Sequence, residues 1–201
     1  MRRFIEQFID ALKAYVEPYV TLPVFVDREG LAGGDLYEKR FSEVMPRSVC
    51  LIAVYTPTYF DPERPFCARE YRGMEIIERQ RLETLGDTDT AQFGMIIPII
   101  LKGVPPPYVA DCRDCRYDFS RFNLRSDDLS SHELYADWFE QIAQRVRMLY
   151  DCLRGAPVDP LAACGSFRLP SEEDVQPLLS LATPQPIGFP GRVPLPAGAR
   201  W

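Results

Sequence analysis

Glu70 occupies a position that asks for a reason. It lies four residues after Phe66 and four before Met74, a spacing that places all three on one face of a helix, and that face is apolar. Glu75, Glu78 and Arg79 read onto the solvated side of the same helix. A carboxylate turned inward costs free energy unless it is paired. Glu70 is therefore either a group kept for chemistry, able to stabilise developing positive charge, or a glutamate near a helix N-terminus favoured by the helix dipole. Other groups offer less. Cys112 and Cys115 have the CxxC spacing of half a zinc site or a redox pair, with no second CxxC or paired histidine to complete it, so no metal site is expected. His132, the only histidine, begins the last long helical pattern and reads as a surface or cap residue. Gly30-Leu-Ala-Gly-Gly34 lacks the Lys-Ser/Thr of a phosphate-binding loop. Pro105-Pro-Pro107 and the later prolines suit an aromatic-lined groove or, more simply, a solvated linker.

The elements that must position Glu70 follow from periodicity. Phe4, Phe8, Leu12 and Tyr15 recur at helical spacing, with Ile5, Ile9 and Val16 beside them, and predict an amphipathic helix. Leu22-Pro-Val-Phe-Val-Asp27 predicts a buried strand and the glycines at 30, 33 and 34 a flexible loop, with a helix over about 35–45 next. Ser48-Val-Cys-Leu-Ile-Ala-Val-Tyr55 and Met95-Ile-Ile-Pro-Ile-Ile-Leu101 are continuous apolar runs, the pattern of parallel strands covered on both faces. The Glu70 helix, about 66–82, lies between them. Tyr117-Asp-Phe119 predicts a last short strand. Ser131 then opens the longest helix, with Leu134, Trp138, Ile142, Val146 and Leu149 on its apolar side. Alternating helices and strands with short connections imply an α/β fold with a doubly wound parallel sheet, where ligands bind beyond the carboxyl ends of the strands.

Composition sets the outer limits. The chain has 201 residues, of which 46% are hydrophobic and 26% charged, enough for one domain and more. Nine of its 19 prolines fall after Arg154. This divides the chain into a domain over 1–154 and a Pro/Gly-rich tail over 155–201, expected to be largely disordered apart from a short helix at about 172–181. A net charge of −6 with no basic cluster argues against a nucleic-acid partner. The longest apolar stretch, Gly94 to Leu101, is far short of the ~20 residues of a membrane helix. Glu6, Asp10 and Lys13 interrupt what would be the core of a signal peptide. With six cysteines that need not pair, a reduced, cytoplasmic setting is expected.

The ordered segments Val24-Phe-Val-Asp27, Gly30-Leu-Ala-Gly-Gly-Asp-Leu36, Val49-Cys-Leu-Ile-Ala-Val-Tyr-Thr-Pro-Thr-Tyr59 and Phe66-Cys-Ala-Arg-Glu-Tyr71 resemble the motifs of the bacterial Toll/interleukin-receptor (TIR) domain over about residues 1–154. The resemblance implies a flavodoxin-like sheet. It also matches Glu70 to the glutamate of TIR domains that cleave NAD, Cys67 to the motif cysteine, and Phe66 to a position usually held by tryptophan. Asp27 matches the acidic end of the second family strand, and Gly30 to Asp35, Gly33 included, match the loop that gates the site and mediates head-to-tail contacts. Thr56-Pro-Thr-Tyr59 stands for the commoner Ser-Pro-x-Tyr. Asp27, Gly33, Tyr59, Phe66 and Cys67 are thus the expected substrate-binding residues and Glu70 the catalytic one. The family also has a central strand before its first helix. Here Met1 falls where that helix begins, so the strand is expected upstream of the given start, the alternatives being that another segment or chain supplies it or that the domain is damaged.

What the resemblance implies is NAD hydrolysis at the nicotinamide–ribose bond by associated domains, in signalling or bacterial defence, with NAD as substrate and no cofactor. Self-association through TIR–TIR contacts and an upstream signalling protein would be its partners, with neither nucleic acid nor membrane. Nicotinamide leaves as a neutral base from an already cationic ring and needs no protonation, while charge develops on the ribose. One carboxylate beside the sugar answers that demand without metal or histidine. Two alternatives stay open: a non-catalytic TIR interaction module, and a nucleoside deoxyribosyltransferase-like enzyme, which also uses a glutamate on such a sheet.

Overall fold

The computed structural model describes residues 2–26, 34–85, 94–121, 133–156 and 167–182. It is a mixed α/β structure with one three-stranded parallel sheet, ordered β1 (Leu51–Tyr55), β2 (Ile96–Ile100), β3 (Tyr117–Asp118). Helices α1 (Arg2–Val16) and α2 (Gly34–Val44) precede the sheet, α3 (Phe66–Leu85) joins β1 to β2, and the short α4 (Pro107–Ala110) leads to β3. Helices α5 (Glu133–Arg154) and α6 (Glu172–Ala182) follow. No described helix is long and apolar enough to cross a membrane.

Every residue of β2 is buried. Successive strand residues point to opposite faces, so both faces of the sheet are covered, which is why the run Ile96-Ile-Pro-Ile-Ile100 shows no alternation. Two packed helix pairs, α1 with α5 and α3 with α6, supply the cover. Pro98 sits in this central strand without loss. The Leu51 N–H donates to the Met95 carbonyl and the Leu101 N–H to that of Tyr55, both at 2.9 Å, which turns the odd-numbered residues of β2 toward β1. Pro98 therefore directs its nitrogen to the other side, ahead of the point where pairing with β3 begins at Ile99 and Tyr117.

The apolar stripe of α1 is buried at Phe4, Phe8, Leu12 and Val16. It meets α5 through aromatic rings: Phe139 stands 5.1 Å from Phe8 and 5.7 Å from Tyr15, and Phe119 lies edge-on to Phe8 at 5.5 Å. On α5 the expected stripe holds at Ile142, Val146 and Leu149, which are buried. Leu134, in the first turn, is exposed.

Two expectations change. Residues 22–26 form no strand. A strand needs a ladder partner, and β1 pairs with β2 along one edge only. Ile52 and Val54 direct their backbone groups to the other edge, which no described strand occupies. Leu22 and Val24 still pack on the core, and Phe25 lies edge-on to Phe41 of α2 at 5.7 Å. Second, β1 begins at Leu51 and not at Ser48. Met45–Arg47 form a 3-10 turn there, held by the buried Arg81, whose guanidinium donates to the carbonyls of Pro46 and Ser48, each at 2.7 Å. The short helix expected at about 172–181 is present as α6, and it packs on α3. Helix α6 opens on a reciprocal cap: Ser171 donates its N–H to Asp174 at 2.8 Å, and its hydroxyl oxygen accepts the Asp174 N–H at 3.3 Å. Val175 and Leu179 are buried, in the same core cluster as Ile77 of α3. Gly73 of α3 leaves room for Phe167; a Cβ there would stand 3.2 Å from its ring and 3.1 Å from the Met45 methyl.

Candidate functional site

The carboxyl end of β1 leads into the site. Tyr55 ends the strand, and the chain turns at once, the Tyr59 N–H donating to the Thr56 carbonyl at 3.0 Å. This turn brings four aromatic side chains together. Tyr55 and Tyr59 have ring centroids 4.4 Å apart, Phe60 lies edge-on to Tyr59 at 5.0 Å, and Tyr71 lies edge-on to Phe60 at 5.5 Å. Helix α3 then starts at Phe66, and Glu70 follows one turn later on the inward face.

Glu70 is 9% exposed. Its carboxylate accepts a hydrogen bond from the Tyr37 hydroxyl of α2, Oη to Oε1, at 2.9 Å. Tyr37 also has the Phe66 carbonyl within 3.3 Å. A phenol has one proton, and the nearer, charged acceptor is the stronger claim on it. The Tyr37 ring is wedged between Phe41 at 4.6 Å and Phe66 at 4.9 Å. Burial and the adjoining carboxylate both push the Tyr37 pKa far above that of a free phenol, so the group is a neutral donor at every physiological pH. Burial does the same to Tyr59, and the electrostatic neighbours that add to its shift are Tyr55, Cys67, Glu70 and Tyr71.

The next residue makes a second connection between the same two helices. Arg69, buried, donates Nη2 to Glu38 at 2.6 Å and Nε to the Pro170 carbonyl at 2.6 Å. Glu38 is largely exposed, so the bond to Pro170, shielded from water, is the firmer of the two. Consecutive residues of α2, Tyr37 and Glu38, thus hold consecutive residues of α3, Glu70 and Arg69.

Of the expected site residues, Glu70, Cys67, Phe66 and Tyr59 lie in one neighbourhood, with the Phe66 ring 46% exposed at its rim. Asp27 and Gly33 lie outside the described residues, as does His132. Tyr37 was not singled out by any motif. Its signal in the sequence is faint: an aromatic one turn into α2, whose partner lies 33 residues on. The arrangement offers a buried anion with a donor fixed on Oε1, near aromatic side chains of which Phe66 is exposed. Such a site suits a flat heterocycle and a developing cation.

Further along α3 the sequence reading needs correction. Glu78 is buried and Glu75 half-buried, neither on a solvated face. Both face Arg113, which follows α4: its Nη2 lies 2.7 Å from Glu78 and 3.6 Å from Glu75, and its Nε donates to the Tyr71 hydroxyl at 3.3 Å. The Tyr108 hydroxyl donates to Glu75. This network fixes the 103–116 connection to α3. Cys112 is exposed and Cys115 half-buried, both as free thiols, and burial raises the Cys115 pKa. No group of three or more His, Cys, Asp or Glu among the described residues is placed to hold a metal ion.

The chain matches no protein-family model, and comparison with curated proteins and with solved structures gives no match.

Proposed function

We propose that this chain is a flavodoxin-like TIR-type domain that hydrolyses NAD at the nicotinamide–ribose bond when copies associate, with Glu70 as the catalytic carboxylate. The observation that supports the reading is the setting of Glu70: a buried carboxylate on the helix that follows a parallel strand, bonded by Tyr37 and near Tyr59, with the exposed Phe66 one turn before it. Departure of nicotinamide leaves positive charge on the ribose. An anion in a site of low dielectric stabilises that charge more strongly than water does, and a water molecule then completes hydrolysis to ADP-ribose. Phe66, the exposed ring of the group, is the candidate to stack on the leaving heterocycle.

The test is release of nicotinamide from NAD by the purified full chain at high protein concentration. Glu70→Gln keeps a carbonyl oxygen to accept the Tyr37 proton and so preserves the fold while removing the charge. Turnover is expected to vanish in that variant with its melting temperature little changed; retained turnover refutes the assignment.

The low exposure of Glu70 and its bond to Tyr37 favour a second reading, a TIR interaction module in which Glu70 only ties α3 to α2. In that case the wild-type chain releases no nicotinamide at any concentration and self-associates regardless of residue 70.

A further inference from the structure

We infer that Tyr37 is the positioning residue for Glu70, holding its carboxylate in one orientation through the bond to Oε1. This rests on the reading of Glu70 as the catalytic group. The argument is geometric. The Tyr37 hydroxyl approaches Oε1 at 2.9 Å from α2, whereas Glu70 belongs to α3, so the bond fixes the carboxylate relative to a second element and not merely to its own helix. The Tyr37 ring cannot swing away, held as it is between Phe41 and Phe66. The adjacent bond from Arg69 to Glu38 keeps the two helices in register at that level. A carboxylate has two rotational placements related by a half-turn and a continuum between them, and a donor on one oxygen removes that freedom. It also favours the anion, the form the reaction uses.

Among the described residues, the Tyr37 hydroxyl of α2 donates to Glu70, and Tyr59, in the turn after β1, is an electrostatic neighbour of it; Cys67 and Arg69, on the helix of Glu70, are neighbours of Tyr37. Both phenols titrate far above neutrality. Glu70 is the carboxylate among these groups, so the acid limb of the rate profile is expected to report it.

Tyr37→Phe keeps the wedged ring and deletes only the donor. With NAD as substrate and the full chain as enzyme, kcat is expected to fall about tenfold with KM nearly unchanged, and the acid limb of the kcat profile to move up by about one pH unit, the scale of a lost hydrogen bond to a charged acceptor. An unchanged kcat, a raised kcat, or a fall with an unmoved acid limb overturns the inference. The carboxyl-carbon NMR titration of Glu70, assigned by its disappearance in Glu70→Gln, gives a readout that needs no turnover. If the wild-type chain fails to cleave NAD, the functional reading fails. An upward move of that titration in Tyr37→Phe then still supports Tyr37 as the group that orients Glu70, and an unmoved titration overturns it.

Discussion

Arg113 grips Glu78 with both terminal nitrogens, Nη1 to Oε1 and Nη2 to Oε2, each at 2.7 Å. Burial works against the charge on Arg113, but the hydrogen bonds to Glu78 outweigh it and hold the guanidinium pKa above its ordinary value. Glu78 also accepts the Met95 N–H at the entry to β2, so one carboxylate joins helix, loop and strand.

Removing one partner of this pair strands the other. Arg113→Met is expected to destabilise the fold by about 3–5 kcal/mol in urea denaturation, because the Glu78 carboxylate loses its counter-charge in a buried place. The double variant with Glu78→Gln should recover part of the loss. A single-variant loss below about 1 kcal/mol would mean that water reaches the pair.

Gly94 is the tight point of the same network. Its φ is +64°, and a Cβ would stand 2.5 Å from Glu78 Oε1 and 2.7 Å from Arg113 Nη1. Gly94→Ala is expected to lower stability by more than about 1 kcal/mol. Its effect should not add to that of Arg113→Met, since the two disturb one carboxylate. Full additivity in a double-variant denaturation series would separate the sites.

Leu179 tests whether the C-terminal helix belongs to the domain. It is buried against the core with Val175, so Leu179→Ala is expected to shift the single global unfolding transition by about 2–5 kcal/mol. Loss of protection in α6 alone, seen by hydrogen exchange with the rest unchanged, would contradict that packing.

The chain should lose stability in alkali. Tyr37, Tyr55 and Tyr59 are buried, and desolvation raises all three phenols above 10 in the fold. The neutral form is the one the fold prefers. This contribution is therefore complete below about pH 10, the unfolded value, and is lost as pH rises toward the folded values. Denaturant midpoints should fall through that window, and phenolate absorbance should show a class of tyrosines that ionises only as the fold opens. Normal titration of all tyrosines in folded protein would count against it.

The sequence announced most of the elements. Continuous apolar runs gave β1 and β2 because burial on both faces leaves no alternation to blur, and the stripe Phe4, Phe8, Leu12 gave α1 for the opposite reason. What failed was anything defined by a partner distant in sequence. The run at 22–26 has the composition of a strand but no neighbour to pair with. Glu75 and Glu78 have the helical spacing of a solvated pair, and the partners that turn them inward, Tyr108 for Glu75 and Arg113 for Glu78, lie 33 and 35 residues further on. Around Glu70, spacing showed that the carboxylate faces the interior, while the group that meets it there, Tyr37, left no local pattern. In 167–182 the helix at about 172–181 was legible, while its packing on α3, a contact far away in sequence, was not.

The bond from Arg69 to the Pro170 carbonyl spans 101 positions. A chain emerging from the ribosome completes α2, α3 and the whole sheet before the residue that accepts this bond exists. With synthesis proceeding at about 5–20 residues per second, Arg69 waits several seconds for its acceptor. Among the described residues, the exposed Glu38 is the partner its guanidinium can meet during that interval. The surroundings of Glu70 are therefore finished late, by a segment made after everything else that forms them, and a chain released early would carry the carboxylate without its final frame.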